Sequence, residues 1–163
     1  MAITPFLWFH DRAEEAAAFY VSLFPNSRIL TTVLSGGDVP GSAEGQVMVV
    51  EFEIDGQRVQ ALNGGPSFTL DEAFSLVVDA PTQEEIDRLW DALTADGGQP
   101  SQCGWLRDRF GLSWQIVPPV LHELLGDPDP DRAARATAAM MTMGKLDIAA
   151  LIAAADGAPT LEP

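Results

Sequence analysis

The chain has 163 residues, a length that suits one domain with its own core, and its 24 acidic against 9 basic residues give a formal net charge of −15. A surface of that sign favours solubility and repels both a phosphate backbone and an acidic membrane, so nucleic acid and membrane surfaces are disfavoured as partners. No run reaches the roughly 18 apolar residues of a membrane span, Met1-Ala2-Ile3-Thr4-Pro5 lacks the basic stretch of a secretory signal, and the lone Cys103 excludes an internal disulfide and fits a reducing cytoplasm.

In chain order, Ile3–Phe9 is an apolar run of strand length, followed by Asp11 as an N-cap and a helix over Ala13–Phe24 with Ala16, Phe19, Tyr20 and Leu23 at helical spacing. Pro25-Asn26 breaks the helix, and Arg28–Leu34 reads as a strand. Ser35–Gly45 (SGGDVPGSAEG) is a glycine-rich loop long enough to act as a lid. Gln46–Ile54 and Gln57–Asn63 are strands joined by Asp55-Gly56, a pair that tolerates the positive φ of a type I′ hairpin turn.

After the connector Gly64–Leu70, Ala73–Asp79 is a strand and Thr82–Ala95 a helix, with Thr82 and Glu85 forming a capping box. Weaker strands follow at Gln99–Cys103 and Trp105–Asp108, then a stronger one at Leu112–Val117. Beyond Pro118-Pro119 the pattern becomes helical: Val120–Leu125, Asp131–Met143 ended by Gly144, and a last short helix starting at Asp147, before a frayed tail at Gly157–Pro163.

The order strand, helix, three strands occurs twice. Glu14-Glu15 precede Phe19-Tyr20 at the same spacing as Glu84-Glu85 precede Leu89-Trp90, and Gln follows the turn glycine by four residues in both Gly56…Gln60 and Gly111…Gln115. The expected fold is therefore α+β: two βαβββ modules, about 3–63 and 72–118, forming a cupped mixed sheet of eight strands, with a helical extension over about 119–156, all within one domain.

The two-residue turn also assigns faces. It pairs Ile54 with Gln57, Glu53 with Arg58, Phe52 with Val59, Glu51 with Gln60 and Val50 with Ala61. Phe52, Val59, Val50 and Ala61 then form the side that packs on helices, while Glu51, Gln60, Glu53 and Arg58 form a polar side that can line a pocket. Gln115 takes the position equivalent to Gln60.

Three stretches, Ile3–Tyr20 (ITPFLWFHDRAEEAAAFY), Ala61–Pro66 (ALNGGP) and Cys103-Gly104-Trp105-Leu106 leading to Ser113–Pro118 (SWQIVP), resemble the PhnB-like branch of the glyoxalase, bleomycin-resistance and dioxygenase superfamily, the vicinal oxygen chelate proteins; Asp127–Leu151 resembles a helical extension of that branch. The resemblance implies a homodimer and a metal at the centre of the cup, with ligand positions at Thr4 (or Pro5), Gln60, Glu72 and Gln115. The superfamily's His, Gln and Glu ligands are mostly replaced here. Glu72 is the only anionic donor of the set, a metal-dependent activity requires Glu72 and Gln115 to converge, and Glu51 opposite Gln60 could add a second carboxylate. Members of this branch often carry the label of demethylubiquinone methyltransferases. Methyl transfer commonly uses a glycine-rich turn between a strand and a helix, whereas Gly36-Gly37 and Gly64-Gly65 lie in loops between strands.

His10 and His122 read as surface or structural residues, since no histidine pair has metal spacing. Cys103 reads as a buried inert thiol. Trp105 and Trp114 are core residues by default, with stacking across the last hairpin or lining of a pocket mouth as alternatives. Met140, Met141 and Met143 read as core or dimer contacts.

Three functions stay open. One is a small-molecule-binding protein without a metal site, sequestering an aromatic or antibiotic-like ligand. The second is a metal-dependent lyase, isomerase or dioxygenase using a divalent ion. The third is a homodimeric interaction module, whose support is an apolar C-terminal helical segment lacking a partner within one module.

Overall fold

The structure is a computed structural model that describes residues 3–37 and 43–157. It divides into two compact units, Met1–Asp71 and Glu72–Pro163. The first contains β1 (Phe6–Phe9), α1 (Ala13–Leu23), β2 (Arg28–Leu34), β3 (Val47–Ile54) and β4 (Gln57–Asn63). The second contains β5 (Ser75–Asp79), α2 (Gln83–Thr94), β6 (Gln99–Pro100), β7 (Trp105–Arg107) and β8 (Ser113–Val117), followed by α3 (Pro119–Leu125), α4 (Pro130–Met140) and α5 (Ile148–Ala155).

The eight strands hydrogen-bond as two four-stranded ladders, β1-β4-β3-β2 and β5-β8-β7-β6. In each, the first strand runs parallel to its neighbour and the rest are antiparallel. The duplication read from side-chain spacing is thus a duplication of topology. Among the described residues no helix is long and apolar enough to cross a membrane.

In the first unit the hairpin register is the one the Asp55-Gly56 turn dictates, with φ of 45° and 80° at its two residues. Val50, Phe52, Val59 and Ala61 are fully buried beneath α1, which turns Ala13, Ala16, Ala17 and Tyr20 toward them. Small residues on that helical face let the backbone approach the sheet, and the Tyr20 ring meets Phe52 at 6.3 Å.

Asp11 does not cap α1. Arg12 holds the N-cap position without a side-chain bond to the helix, and its guanidinium donates to Glu15 at 2.7 and 2.8 Å. The open amide of Ala13 instead donates to Asn63 Oδ1 at 2.7 Å, and Asn63 Nδ2 donates to the Val47 carbonyl at 3.0 Å. A residue at the end of β4 therefore closes the helix that follows β1. Gln46 lies just before β3, where its carbonyl accepts from Ser35 N at 2.8 Å. The centre of the expected lid, residues 38–42, lies outside the described residues.

In the second unit Thr82 caps α2 as expected: its Oγ1 accepts from Glu85 N at 3.2 Å, the first half of a capping box, and donates to Glu85 Oε2 at 3.0 Å. Ile86, Leu89, Trp90 and Leu93 form the buried stripe of α2. The β7–β8 turn is built on Asp108, which is 3% exposed. Its carboxylate accepts from Phe110 N at 2.8 Å, Leu112 N at 3.1 Å and Trp114 Nε1 at 2.8 Å. A buried charge is tolerated when several donors replace its hydration.

The C-terminal helices do have a partner inside their own unit, contrary to the expectation of an unpartnered segment. Leu121, Leu124, Ala136, Leu146, Leu151 and Ala155 bury against Val117, with Met140 and Met143 packed at the margin. The link between α4 and α5 clasps the module: Cys103 N donates to Met143 O at 2.7 Å, Gly104 N to Gly144 O at 2.8 Å, and Gln83 bridges Leu146 O and Ile148 N at 3.1 and 3.0 Å. Lys145 pairs with Asp87 at 2.9 Å, and this bond, with a smaller part from Gln83, holds the Asp87 carboxyl below its ordinary value. Cys103 is half-buried rather than buried, and its Sγ lies 3.7 Å from Sδ of the exposed Met141.

Replacing Asp108 by alanine removes the acceptor of three donors at a largely buried turn. At about 1–3 kcal/mol for an unsatisfied buried group, Asp108→Ala should lose at least ~3 kcal/mol of unfolding free energy in urea denaturation. A loss under ~1 kcal/mol would contradict the role given to this carboxylate.

Candidate functional site

Strand pairing places the candidate side chains Gln60, Glu51 and Gln115 on the sheet faces turned away from the helices. In the first unit, Phe6, Gln60 and Glu51 form one row across β1, β4 and β3, and Trp8, Leu62 and Val49 form the next. Glu53 and Arg58 make a third row nearer the hairpin turn. The face expected to be polar is so only at that end. Arg58 reaches Glu51 at 3.4 Å and Glu53 at 3.8 Å, and Arg28 reaches Glu53 at 2.8 Å, so its carboxylates are largely compensated. Toward the other end the face becomes aromatic and aliphatic.

Gln60 and Glu51 are thus brought together as direct neighbours. Thr4 is not the strand neighbour of Gln60. That place belongs to Phe6, which is 54% exposed, while Thr4 precedes β1. Local sequence reasoning also missed Trp8. Its Nε1 donates to Gly65 O at 2.9 Å, its ring meets Phe68 edge-on at 4.9 Å, and a Cβ on Gly64 would lie 2.3 Å from the indole. The Gly-Gly pair is therefore the seat of a tryptophan. Alternation along Phe6–Phe9, which puts Phe6 and Trp8 opposite Leu7 and Phe9, was the signal available for it.

In the second unit, Val77, Gln115 and Trp105 form one row of the open face, and Ser75, Ser113, Arg107 and Gln99 the next. Gln115 Nε2 donates to Ser75 Oγ at 2.9 Å. Glu72 is exposed ahead of β5 and lines a cavity of about 140 Å³ together with Gln99, Trp105, Arg107 and Ser113. Trp105 and Trp114 do not stack across the hairpin: Trp114 pairs with Leu106 on the buried side, and Trp105 faces the cavity.

A second concavity, about 330 Å³, lies at the start of α1 between His10, Asp11, Glu14, Gln46 and Asn63. Among the described residues no group of three or more His, Cys, Asp or Glu side chains is placed to hold a metal ion.

Two modules of this topology define a glyoxalase-type fold. Residues 1–117 match the family described as 3-demethylubiquinone-9 3-methyltransferase. A solved structure described as a putative 3-demethylubiquinone-9 3-methyltransferase, PhnB protein, from Bacillus cereus is 35% identical, with 72% of this chain and 99% of that one covered and a TM-score of 0.65. A protein from Pseudomonas aeruginosa is 22% identical over 70% of this chain and 94% of its own, with a TM-score of 0.56, a likeness of fold alone. A glyoxalase/bleomycin resistance protein from Albidiferax ferrireducens T118 matches at 20% identity over 70% and 94%, with a TM-score of 0.44. None of the curated proteins matches. The chain belongs to the 3-demethylubiquinone-9 3-methyltransferase family, and it is similar to that family's PhnB protein. The family match ends at Val117, the last residue of β8, so α3, α4 and α5 lie beyond it.

Gly64→Ala forces its methyl group into the Trp8 ring. Overpacking of this kind costs about 1–3 kcal/mol, so the variant should melt at lower temperature and show an altered Trp8 indole resonance. An unchanged indole resonance would refute the seat.

Proposed function

We propose that this chain is a small-molecule-binding protein of the cytoplasm, a single ligand-binding domain that receives its ligand on the open sheet faces and works without a complete metal site. The observation that carries the reading is the amphipathic face of the first sheet, where the row Glu51–Gln60–Phe6 lies beside Val49–Leu62–Trp8. A largely apolar surface with a few fixed polar groups is the usual composition of a ligand site. Trp8, held by Gly65 and Phe68, offers a rigid ring for an aromatic or antibiotic-like ligand.

The donor chemistry supports the metal-free form. At the positions that the superfamily resemblance assigns to a metal, the chain has Thr4, Gln60, Glu72 and Gln115, a set with one carboxylate. The Gln115 amide is engaged by Ser75, and the nearby Glu51 is paired with Arg58. Catalytic divalent ions are held by two or three His or carboxylate ligands, so these residues do not fit one. Methyl transfer gains no support from the strand-to-helix turns, His10-Asp11-Arg12 and Ala80-Pro81-Thr82, which contain no glycine.

The test is a thermal-shift screen of aromatic and antibiotic-like compounds with a parallel arm of Mn²⁺, Ni²⁺, Zn²⁺ and Fe²⁺. A ligand that binds the folded state must raise its melting temperature. Organic ligands should do so, metals alone should not, and Gln60→Ala should reduce the ligand-induced shift while leaving the free protein's melting temperature nearly unchanged. A shift with metals and none with any organic compound would favour the metal-dependent enzyme instead.

A homodimer belongs to the same reading. It rests on the superfamily resemblance, since the C-terminal helices pack within their own unit. Sedimentation at micromolar concentration should give twice the chain mass; a monomer there would remove it.

A further inference from the structure

The cavity on the open face of the second sheet holds three polar groups with unmet demand. Arg107 is the first. In a chain with 24 acidic and 9 basic residues, arginines readily find carboxylates, as Arg12, Arg28, Arg58, Arg109 and Arg132 do. Arg107 does not. Among the described residues it has no ion-pair partner, and its guanidinium donates through Nη2 to the neutral Gln99 Oε1 at 2.6 Å. That bond steadies the side chain without neutralising it and leaves its other N–H groups available.

The second group is Ser113. It is 1% exposed, and its Oγ has no hydrogen-bond partner among the described residues. Buried hydroxyls are ordinarily paired, because leaving one unpaired forfeits its hydration for nothing. Ser113 and Arg107 are direct cross-strand partners, so their side chains leave the sheet on the same face, both lining the cavity, with Cβ atoms about 4.5–5.5 Å apart.

The third is Glu72. It lines the same cavity, is exposed, and has neither ion pair nor hydrogen bond among the described residues. The cavity therefore has a donor end, Arg107 with Ser113, and an acceptor side, Glu72. At about 140 Å³ it has room for more than a single ordered water.

We propose that this cavity binds a small organic acid bearing an amino or hydroxyl group, with Arg107 and Ser113 holding the carboxylate and Glu72 accepting from the amino or hydroxyl group. A planar carboxylate matches the guanidinium fork. Its second oxygen can accept a hydrogen bond donated by the Ser113 hydroxyl. Glu72 and the net charge of the chain work against a dianion such as phosphate and against an acid with nothing to donate. The proposal rests on the small-molecule reading above and names the ligand class for the second sheet.

The experiment is an amide-resolved NMR titration of the full chain with alanine, lactate, propionate and methyl lactate. Alanine and lactate should move the Arg107 and Ser113 amides; methyl lactate, which lacks the charge, should not; propionate should bind more weakly than lactate. Arg107→Met should weaken lactate binding at least about tenfold, the scale of a lost charge-assisted hydrogen bond. Ser113→Ala should weaken it without lowering the melting temperature, and Glu72→Gln should narrow the gap between lactate and propionate. Equal binding of lactate by wild type and a folded Arg107→Met, or equal binding of lactate and propionate, would overturn the proposal. If the acids fail while a neutral aromatic compound raises the melting temperature in the screen, this inference alone falls. If no compound of any class binds, the small-molecule reading falls with it.

Discussion

The two-residue turn at Asp55-Gly56 is the constraint from which the first module follows. Its left-handed φ values fit a type I′ turn, whose twist matches that of the flanking strands. The pairing of β3 with β4 is then fixed, and because side chains alternate with a period of two, a slip of one residue would exchange the faces. Phe52, Val50, Val59 and Ala61 would leave the core, and Glu51 and Gln60 would enter it beneath Tyr20. The turn is braced from outside, with Gly56 N donating to Asn26 O at 3.2 Å and Asp55 N to Ser27 Oγ at 2.9 Å. Counting along β4 from this fixed point puts Asn63 where it caps α1 and Gly64 where it seats Trp8. The hairpin turn fixes the β4 side of both contacts, and the parallel pairing of β1 with β4 brings Ala13 and Trp8 to them.

The second module solves the same problem differently. Its β7–β8 turn is longer, and Asp108 organises it with a carboxylate that also holds Trp114 from within the core. The link between β6 and β7 passes so close to β8 that a Cβ on Gly104 would lie 2.8 Å from the Ile116 carbonyl and 3.0 Å from Leu146 Cδ1. Its φ of +83° suits glycine in any case. The α4–α5 link hydrogen-bonds to this same crowded corner. The helices beyond the family match are thus tied to the second module by backbone bonds as well as by apolar burial.

What could be read from the sequence separates cleanly by distance along the chain. The Asp-Gly hairpin, its register and buried face, and the N-cap of α2 by Thr82 are each encoded within a few residues, and the structure reproduces them. The capping of Ala13 by Asn63 spans fifty residues. It depends on β1 running parallel to β4, a pairing whose register no local turn reports. That same pairing makes Phe6 the strand neighbour of Gln60, while Thr4, a ligand position implied by the resemblance, lies ahead of β1. The β7–β8 register puts Trp105 opposite Gln115 and Trp114 opposite Leu106, so the alternative of stacking across the hairpin fails while the default core place holds for Trp114. The C-terminal helices looked unpartnered because their partners, Gln83, Cys103 and Gly104, lie far upstream.

The two modules share a topology but present different chemistry on their open faces. In the first, Arg58 and Arg28 compensate Glu51 and Glu53, leaving a neutral amide, Gln60, at the border of an aromatic and aliphatic surface. Such a face selects by shape and by a few hydrogen bonds. In the second, Arg107 and Glu72 line one cavity and, among the described residues, neither has an ion pair and the buried Ser113 hydroxyl has no partner. Charges kept apart in this way retain their demand for external partners, whereas an ion pair spends it internally. The amide residues Gln60 and Gln115 occupy matching places, so the duplicated backbone has been kept while the chemistry around each copy has diverged. An apolar ligand suits the first face and a polar, two-ended one the second.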